Sequence, residues 1–199
     1  MSDIRPSVLI ACDERVRNTY LPAVELQRLE AFADWSWFAC GGGGIYEAQE
    51  DSEQSTALVE RLGGVDALVV CHGSPRLSAA IIDKTQGLKI VGELEGDRFA
   101  ARIDLDAAWQ HGIRVVDTTN GSSYPVAEWA LALILISLKQ AGAHFRRIIA
   151  GQTGRDANLV AKMSGVLKGK RVGLIGCGHM GRRLIKLLEP FENEIWVHD

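Results

Sequence analysis

The sequence predicts an α/β chain whose parallel sheet is covered on both faces, and three observations carry that prediction. Short runs rich in branched apolar residues alternate with segments whose apolar residues recur at helical spacing. Runs such as SVLIAC (Ser7–Cys12) and ALVVC (67–71) are apolar nearly throughout, the pattern of strands buried on both faces. Single helices lie between successive runs, as right-handed crossovers between parallel strands require.

Taken in order, Ser7–Cys12 is the first strand, bounded by Pro6 and Asp13. Residues 19–32 repeat Leu21, Val24, Leu29 and Phe32 at helical spacing and read as one helix, with Pro22 tolerated in its first turn. Residues 35–39 form the second strand, closed by the glycine run 41–44, which reads as a flexible turn because no Lys-Ser/Thr follows it as in a phosphate-binding loop. Asp51, with Gln54 three residues on, makes a capping box for a helix through Leu62, and Gly63-Gly64 ends it. Residues 67–71 are the third strand. Segments 78–84, 88–91, 106–111 and Arg114–Asp117 continue the rhythm, with Gly112 as the left-handed residue that closes its helix. Residues 1–120 thus make a first, small doubly wound domain.

Residues 125–149 differ. Val126, Ala127, Ala130, Leu131, Leu133, Ile134, Leu135, Ile136 and Leu138 leave almost no polar face on the predicted helix. Such a helix belongs inside a core, or between two domains or two subunits. Residues 151–170 are polar and glycine-rich and read as a surface loop or linker.

Composition narrows the function classes. With 22 Lys+Arg against 25 Asp+Glu the net charge is −3 and no basic stripe stands out, which argues against a nucleic-acid partner. At 47% hydrophobic and 24% charged residues, the chain has enough apolar surface to fold and is not disordered. Cys12, Cys40, Cys71 and Cys177 are widely spaced, without a CxxC pair or a histidine at metal-ligand spacing, so they read as free thiols, no metal is expected, and the compartment is a reducing cytoplasm. The first six residues show no apolar signal region, and the longest apolar stretch, 129–138, falls short of the roughly 20 residues of a membrane span.

Chemistry enters at Arg171–Ile175 (RVGLI). This strand runs directly into Gly176-Cys177-Gly178-His179-Met180-Gly181, then into a helical pattern over 182–188, a further strand Glu194–His198, and Asp199 at that strand's carboxyl end. Strand, G-x-G-x-x-G turn, helix, strand and terminal acid in that order are far more specific than the glycines alone, and point to dinucleotide binding. Gly176 permits the tight turn, Gly178 leaves the backbone open to a pyrophosphate, and Gly181 lets the helix pack close to the strand. The N–H groups at the helix start, including those of His179 and Met180, face the phosphates with the helix dipole behind them. Asp199 accepts the adenosine ribose hydroxyls and repels a 2′-phosphate, which favours NAD over NADP.

Three segments resemble the D-isomer-specific 2-hydroxyacid dehydrogenase family. LDAAWQHGIRVV at 105–116 is similar to its D-x-x-A-x-x-x-G-I-x-V run, PVAEWAL at 125–131 to its V-A-E linking helix, and LKGKRVGLIG at 167–176 to its entry into the nucleotide fold. The resemblance implies a flavodoxin-like substrate domain (1–120), then the linking helix and the first βαβ unit of an NAD-binding Rossmann domain (121–199). It implies hydride exchange between NAD and C2 of a small 2-hydroxy or 2-oxo acid, in a homodimer. The family's substrate-binding Arg, acid/base His and tuning Glu belong to a later part of the fold, so no catalytic residue is mapped here. They are expected downstream of Asp199, in a parent longer by a hundred residues or more. The alternatives of similar architecture are an NAD-responsive corepressor and an NAD enzyme of the adenosylhomocysteine-hydrolase type.

The substrate loop departs from the family's Gly-x-Gly-x-Asp-Asn/His-x-Asp stretch. Here the chain has GELEGDRFAARID at 92–104, in which only Asp104 and a shifted glycine correspond. Glu95 and Gly96 are the substrate-contact candidates, and Asn120, by its place in the family pattern, lines the cleft near the nicotinamide. Arg98 and Arg102 read as solvated surface arginines, with anion contacts as the alternative. Of the five histidines, His179 belongs to the pyrophosphate turn and His111 to a helix end, while His72, His144 and His198 lie outside the motifs.

Overall fold

A computed structural model describes residues 5–41, 48, 50, 53–96, 99–162 and 165–199, without the side chains of residues 99 and 100. The chain divides into two compact units, Met1–Thr119 and Asn120–Asp199.

In the first unit, β1 (Ser7–Cys12) leads through α1 (Glu14–Tyr20) and α2 (Ala23–Glu30) to β2 (Asp34–Ala39). After α3 (Glu53–Arg61) come β3 (Ala67–Val70), α4 (Ala79–Ile82) and β4 (Ile90–Glu93), then α5 (Phe99–Arg102), α6 (Leu105–Gln110) and β5 (Arg114–Asp117). The five strands are all parallel, in the order β2-β1-β3-β4-β5. That is the flavodoxin-like order of a doubly wound sheet. The apolar run of β1 has a plain reason. Leu9 and Ala11 enter one core cluster with Leu58, Leu68, Val70 and Val91, while Val8, Ile10 and Cys12 enter the opposite one with Val16, Ala33 and Cys71. Truncating a fully buried side chain such as Leu9 costs about 2–5 kcal/mol.

Three local features depart from the sequence reading. The helix expected over 19–32 is two helices, because Leu21, ahead of Pro22, is forced to φ −117°, ψ 71°. Its first half starts earlier, at Glu14, where Asp13 Oδ1 accepts the Val16 N–H at 2.7 Å. The fourth strand lies two residues beyond 88–91, paired Ile90 to Ala67 and Glu93 to Val70, which brings a carboxylate into the strand. Gly112 has φ +70° at the end of α6, as its position predicts. Asp51 and glycines 42–44 lie outside the described residues.

In the second unit, α7 (Ser123–Leu138), α8 (Ala141–Ile149) and α9 (Ala157–Ala161) precede β6 (Arg171–Ile175), α10 (His179–Leu188) and β7 (Glu194–His198). β6 and β7 pair in parallel from Arg171–Glu194 to Ile175–His198. The single helix read over 125–149 bends by 71° between α7 and α8, where Gln140 takes φ +52°. The loop read over 151–170 contains α9, whose Asp156 cap accepts the Asn158 and Leu159 amides. One face of α7 meets the expectation of burial. Ala127 is buried with Leu167, Leu184 and Leu188, and Leu131, Ile134, Leu135 and Leu138 pack against them. Its opposite face, with Val126, Trp129, Leu133 and Ile136, is exposed. Among the described residues no single helix is long and apolar enough to cross a membrane.

Candidate functional site

The glycine turn of the second unit is shaped by backbone constraints. β6 ends at Ile175, and Gly176 turns the chain at φ +90° while its N–H donates to the His198 carbonyl at 2.8 Å. That conformation costs a side-chain-bearing residue about 1–2 kcal/mol. Gly181 sits in the first turn of α10, where a Cβ would lie 2.6 Å from the Gly176 carbonyl oxygen. A Cβ on Gly178 would meet nothing within 4 Å, so the turn presents bare backbone on its outer side. Gly178 is the N-cap of α10, and its carbonyl accepts from Arg182 at 3.1 Å. The amides of His179, Met180 and Gly181 precede the first intrahelical donor and point out of the helix end. Asp199 joins the turn, its Oδ1 accepting the Cys177 N–H at 3.0 Å. Among the described residues Oδ2 has no hydrogen-bond partner. The turn therefore brings Gly176, Gly178, His179, Met180, Gly181 and Asp199 together. Its donors suit a pyrophosphate and its carboxylate suits a pair of hydroxyls.

The motif gave no sign of what holds the start of α7 beside this turn. Arg183 Nε donates to Ser123 Oγ at 2.7 Å, its Nη2 to Asn120 Oδ1 at 3.0 Å, and its guanidinium lies over the Tyr124 ring. Ser123 is fully buried and its hydroxyl donates to Asn120. Asn120 thus spends its side-chain oxygen inside the turn, leaving only its amide NH₂ for a ligand. A groove of about 410 Å³ runs beside these residues, lined by Tyr124, Glu128, His179, Arg182, Arg183 and Lys186.

In the first unit the structure builds a polar cluster where β3 and β4 end. Glu93 closes β4 and is 1% exposed, with Arg102 at 2%. Arg102 Nε lies 3.2 Å from Glu93 Oε2, and Nη1 donates to the Ser74 carbonyl at 2.7 Å. Arg102 is therefore not a solvated surface arginine. The short helix α5 turns it inward, onto the carboxylate that the shifted register of β4 buries. Burial pushes Glu93 up to about 7 against the pull of that guanidinium. Glu95, two residues on, donates its backbone N–H to Glu93 Oε1 at 3.2 Å and pairs its own carboxylate with His72 Nε2. His72 lies two residues past the end of β3. The sequence reading set it aside, although its place at the carboxyl end of a central parallel strand was the available signal. Gly96 has a packing role, since a Cβ there would come 2.6 Å from the Thr119 Cα. Arg98 lies outside the described residues. His111 caps α6, as expected of a helix end.

Cys71 Sγ, a ring nitrogen of His72 and a Glu95 oxygen lie within 4.8 Å of one another, a juxtaposition that sequence spacing did not reveal. Burial pushes the Cys71 thiol up to about 12. The group reads as a hydrogen-bonded His–carboxylate pair over a buried thiol.

Comparison with known proteins places the chain in a family. The family model for the D-isomer specific 2-hydroxyacid dehydrogenase catalytic domain matches residues 22–166. The D-3-phosphoglycerate dehydrogenase of Methanocaldococcus jannaschii is 32% identical over 146 residues, 71% of this chain and 26% of that protein. The glyoxylate reductase of Thermofilum pendens is 26% identical over 155 residues, 78% of this chain and 45% of the reductase. The chain thus spans about a quarter to less than half the length of these relatives. A phosphoglycerate oxidoreductase from Rhizobium etli superposes with a TM-score of 0.75 at 19% identity, covering 98% of this chain and 56% of that one, and shares its fold. With most of its length matched by that one family model, the chain belongs to the D-isomer specific 2-hydroxyacid dehydrogenases.

Proposed function

We propose that a protein carrying this chain exchanges hydride between NAD and C2 of a small 2-hydroxy or 2-oxo acid. The observation that carries this reading is the open turn at Gly176–Gly178–Gly181 with Asp199 hydrogen-bonded to it. Bound NAD would supply the hydride acceptor or donor. Gly178 exposes its backbone to the pyrophosphate, and the His179 and Met180 amides donate to it. Asp199, fixed through Oδ1 by Cys177, presents Oδ2 to the ribose and disfavours a 2′-phosphate, hence NAD over NADP. Family membership supports the reaction class, and the parallel sheet of the first unit supports its role as the acid-binding unit. Acid/base catalysis is assigned to no residue of this chain. A second copy of the chain is the proposed partner, covering the exposed face of α7. The four free cysteines suit a reducing, cytoplasmic setting.

Calorimetric titration tests the cofactor assignment. Asp199→Ala should weaken NAD binding by about 1.5–3 kcal/mol, the worth of hydrogen bonds to a charged acceptor, and should narrow the preference for NAD over NADP. Unchanged affinity for both would remove Asp199 from the site.

A further inference from the structure

The loops that follow β3 and β4 hold a pair of groups for which the dinucleotide turn has no use. Resting on the dehydrogenase reading above, we propose that His72 and Glu95 receive the distal group of the substrate acid, and that this group is a hydrogen-bond donor, a hydroxyl or an ammonium, and not a phosphate.

Placement comes first. His72 and Glu95 stand just beyond the carboxyl ends of two adjacent parallel strands, the edge at which open α/β sheets bind their ligands. The pair is also held in place without a ligand. Asp13 donates its N–H to the His72 carbonyl at 2.8 Å. Gly73, at φ +84°, is packed so closely that a Cβ would lie 2.7 Å from the Cys40 carbonyl oxygen. On the other strand, Glu93 accepts the Glu95 N–H and is itself paired with Arg102, which reaches back to Ser74 two residues past His72. The two loops are therefore tied to each other through buried polar contacts, the kind of support that fixes a binding group in advance.

What the pair offers follows from what it has already used. The Nε2 of His72 sits on Glu95 Oε1. In the neutral ring that contact places the proton on Nε2 and leaves Nδ1 as an acceptor. Among the described residues neither Nδ1 nor Glu95 Oε2 has a hydrogen-bond partner, so with the ring in that neutral tautomer both unspent atoms are acceptors. The charge balance agrees. Among the described residues, the Glu93 and Glu95 carboxyls stand with the Arg102 guanidinium, and Arg76, further along the β3 loop, is taken by Glu50. A phosphate would meet a largely buried carboxylate, and among the described residues the nearby guanidiniums of Arg102 and Arg76 are already paired. A hydroxyl or ammonium would donate to that carboxylate.

The test uses a protein carrying the whole chain, NADH, and 2-oxo acids of equal length that end in hydroxyl, ammonium, methyl or phosphate. The hydroxyl- or ammonium-ended acid should exceed the phosphate-ended one in kcat/KM by about tenfold or more. Glu95→Gln and His72→Asn, made separately, should each shrink that ratio, mainly through KM. NADH affinity by calorimetry tells the two possible failures apart. If the unaltered protein does not bind NADH, the dehydrogenase reading itself falls. If it binds NADH but reduces none of the acids, that reading falls as well; if it reduces them but prefers the phosphate-ended acid, or keeps its ratio in both variants, the assignment of His72 and Glu95 is overturned.

Discussion

Gly178 and Gly181 stand three residues apart in one motif, yet adding a single carbon to each should have opposite consequences. At Gly181 a methyl would overlap the Gly176 carbonyl at 2.6 Å, and that oxygen belongs to backbone that cannot swing aside. Gly181→Ala should therefore push the turn open. It should lower the stability of the second unit by about 1–3 kcal/mol, the usual cost of overpacking, and weaken NAD binding as well. At Gly178 a methyl meets open space, and the φ of −68° suits any residue. Gly178→Ala should leave thermal unfolding where it was. Its methyl would stand where the pyrophosphate is proposed to lie, so NAD affinity should fall about tenfold or more, about 1.4 kcal/mol. Melting curves and calorimetry on the two variants read the two effects separately. Unchanged affinity in Gly178→Ala would mean that no phosphate rests against this stretch of backbone.

At the level of elements, what could be read in advance was what neighbouring residues decide. Ser7–Cys12, Arg114–Asp117, Arg171–Ile175 and Glu194–His198 have the bounds the sequence predicts, because continuous apolar runs between polar stops leave little choice of ends. The glycine turn was legible for the same reason, since strand, turn and helix are contiguous. The breaks at Leu21–Pro22 and Gln140 were not, because apolar spacing runs through both and only backbone geometry interrupts it. The His72–Glu95 pair was hidden more deeply. Its members are 23 residues apart, and only the parallel pairing of β3 with β4 brings them together. Arg102 was misread because residue type alone places arginine in water, whereas Glu93 answers it inside. The helix α7 was read correctly as apolar all round, but the second unit covers one side only. Trp129, Leu133 and Ile136 share the open side, spaced four and three residues apart. In aqueous solution such a stripe calls for a cover, and a second copy of the chain is the proposed one. Sedimentation of a protein carrying the chain should then give the mass of two copies, and Leu133→Lys should shift it toward one with helix content retained. A single-copy mass for the unaltered protein at about 10 μM would refute the proposed partner.

Over the whole molecule, the buried carboxylate of Glu93 should leave its mark on the dependence of stability on pH. An acid whose folded value lies above its unfolded one binds its proton more tightly in the folded state. Its contribution is fully present below about 4.5, the ordinary glutamate value, and is lost as pH rises through about 7. Asp66 and Glu194 act in the opposite sense. Asp66 is held low by its hydrogen bonds from Lys89 and the Ser7 amide, and Glu194 by those from Trp196 and Arg171, so what they contribute is lost as pH falls through their lowered values. Stability should accordingly decline on both sides of a maximum in the mildly acidic range. The neutral-side decline, at most about 3 kcal/mol, belongs to the first unit and to one residue. Glu93→Gln identifies that residue. The amide keeps an oxygen for the Glu95 N–H but cannot ionise, so it stands in for the protonated acid, and below about pH 5 the variant should lie near the unaltered protein. The slope between about pH 5 and about pH 8 should flatten, because the proton that was linked to folding is gone. Urea unfolding at a series of pH values, followed for both proteins, reads that loss of slope. Parallel curves for the two would show that Glu93 keeps the same protonation, folded or unfolded, throughout this range.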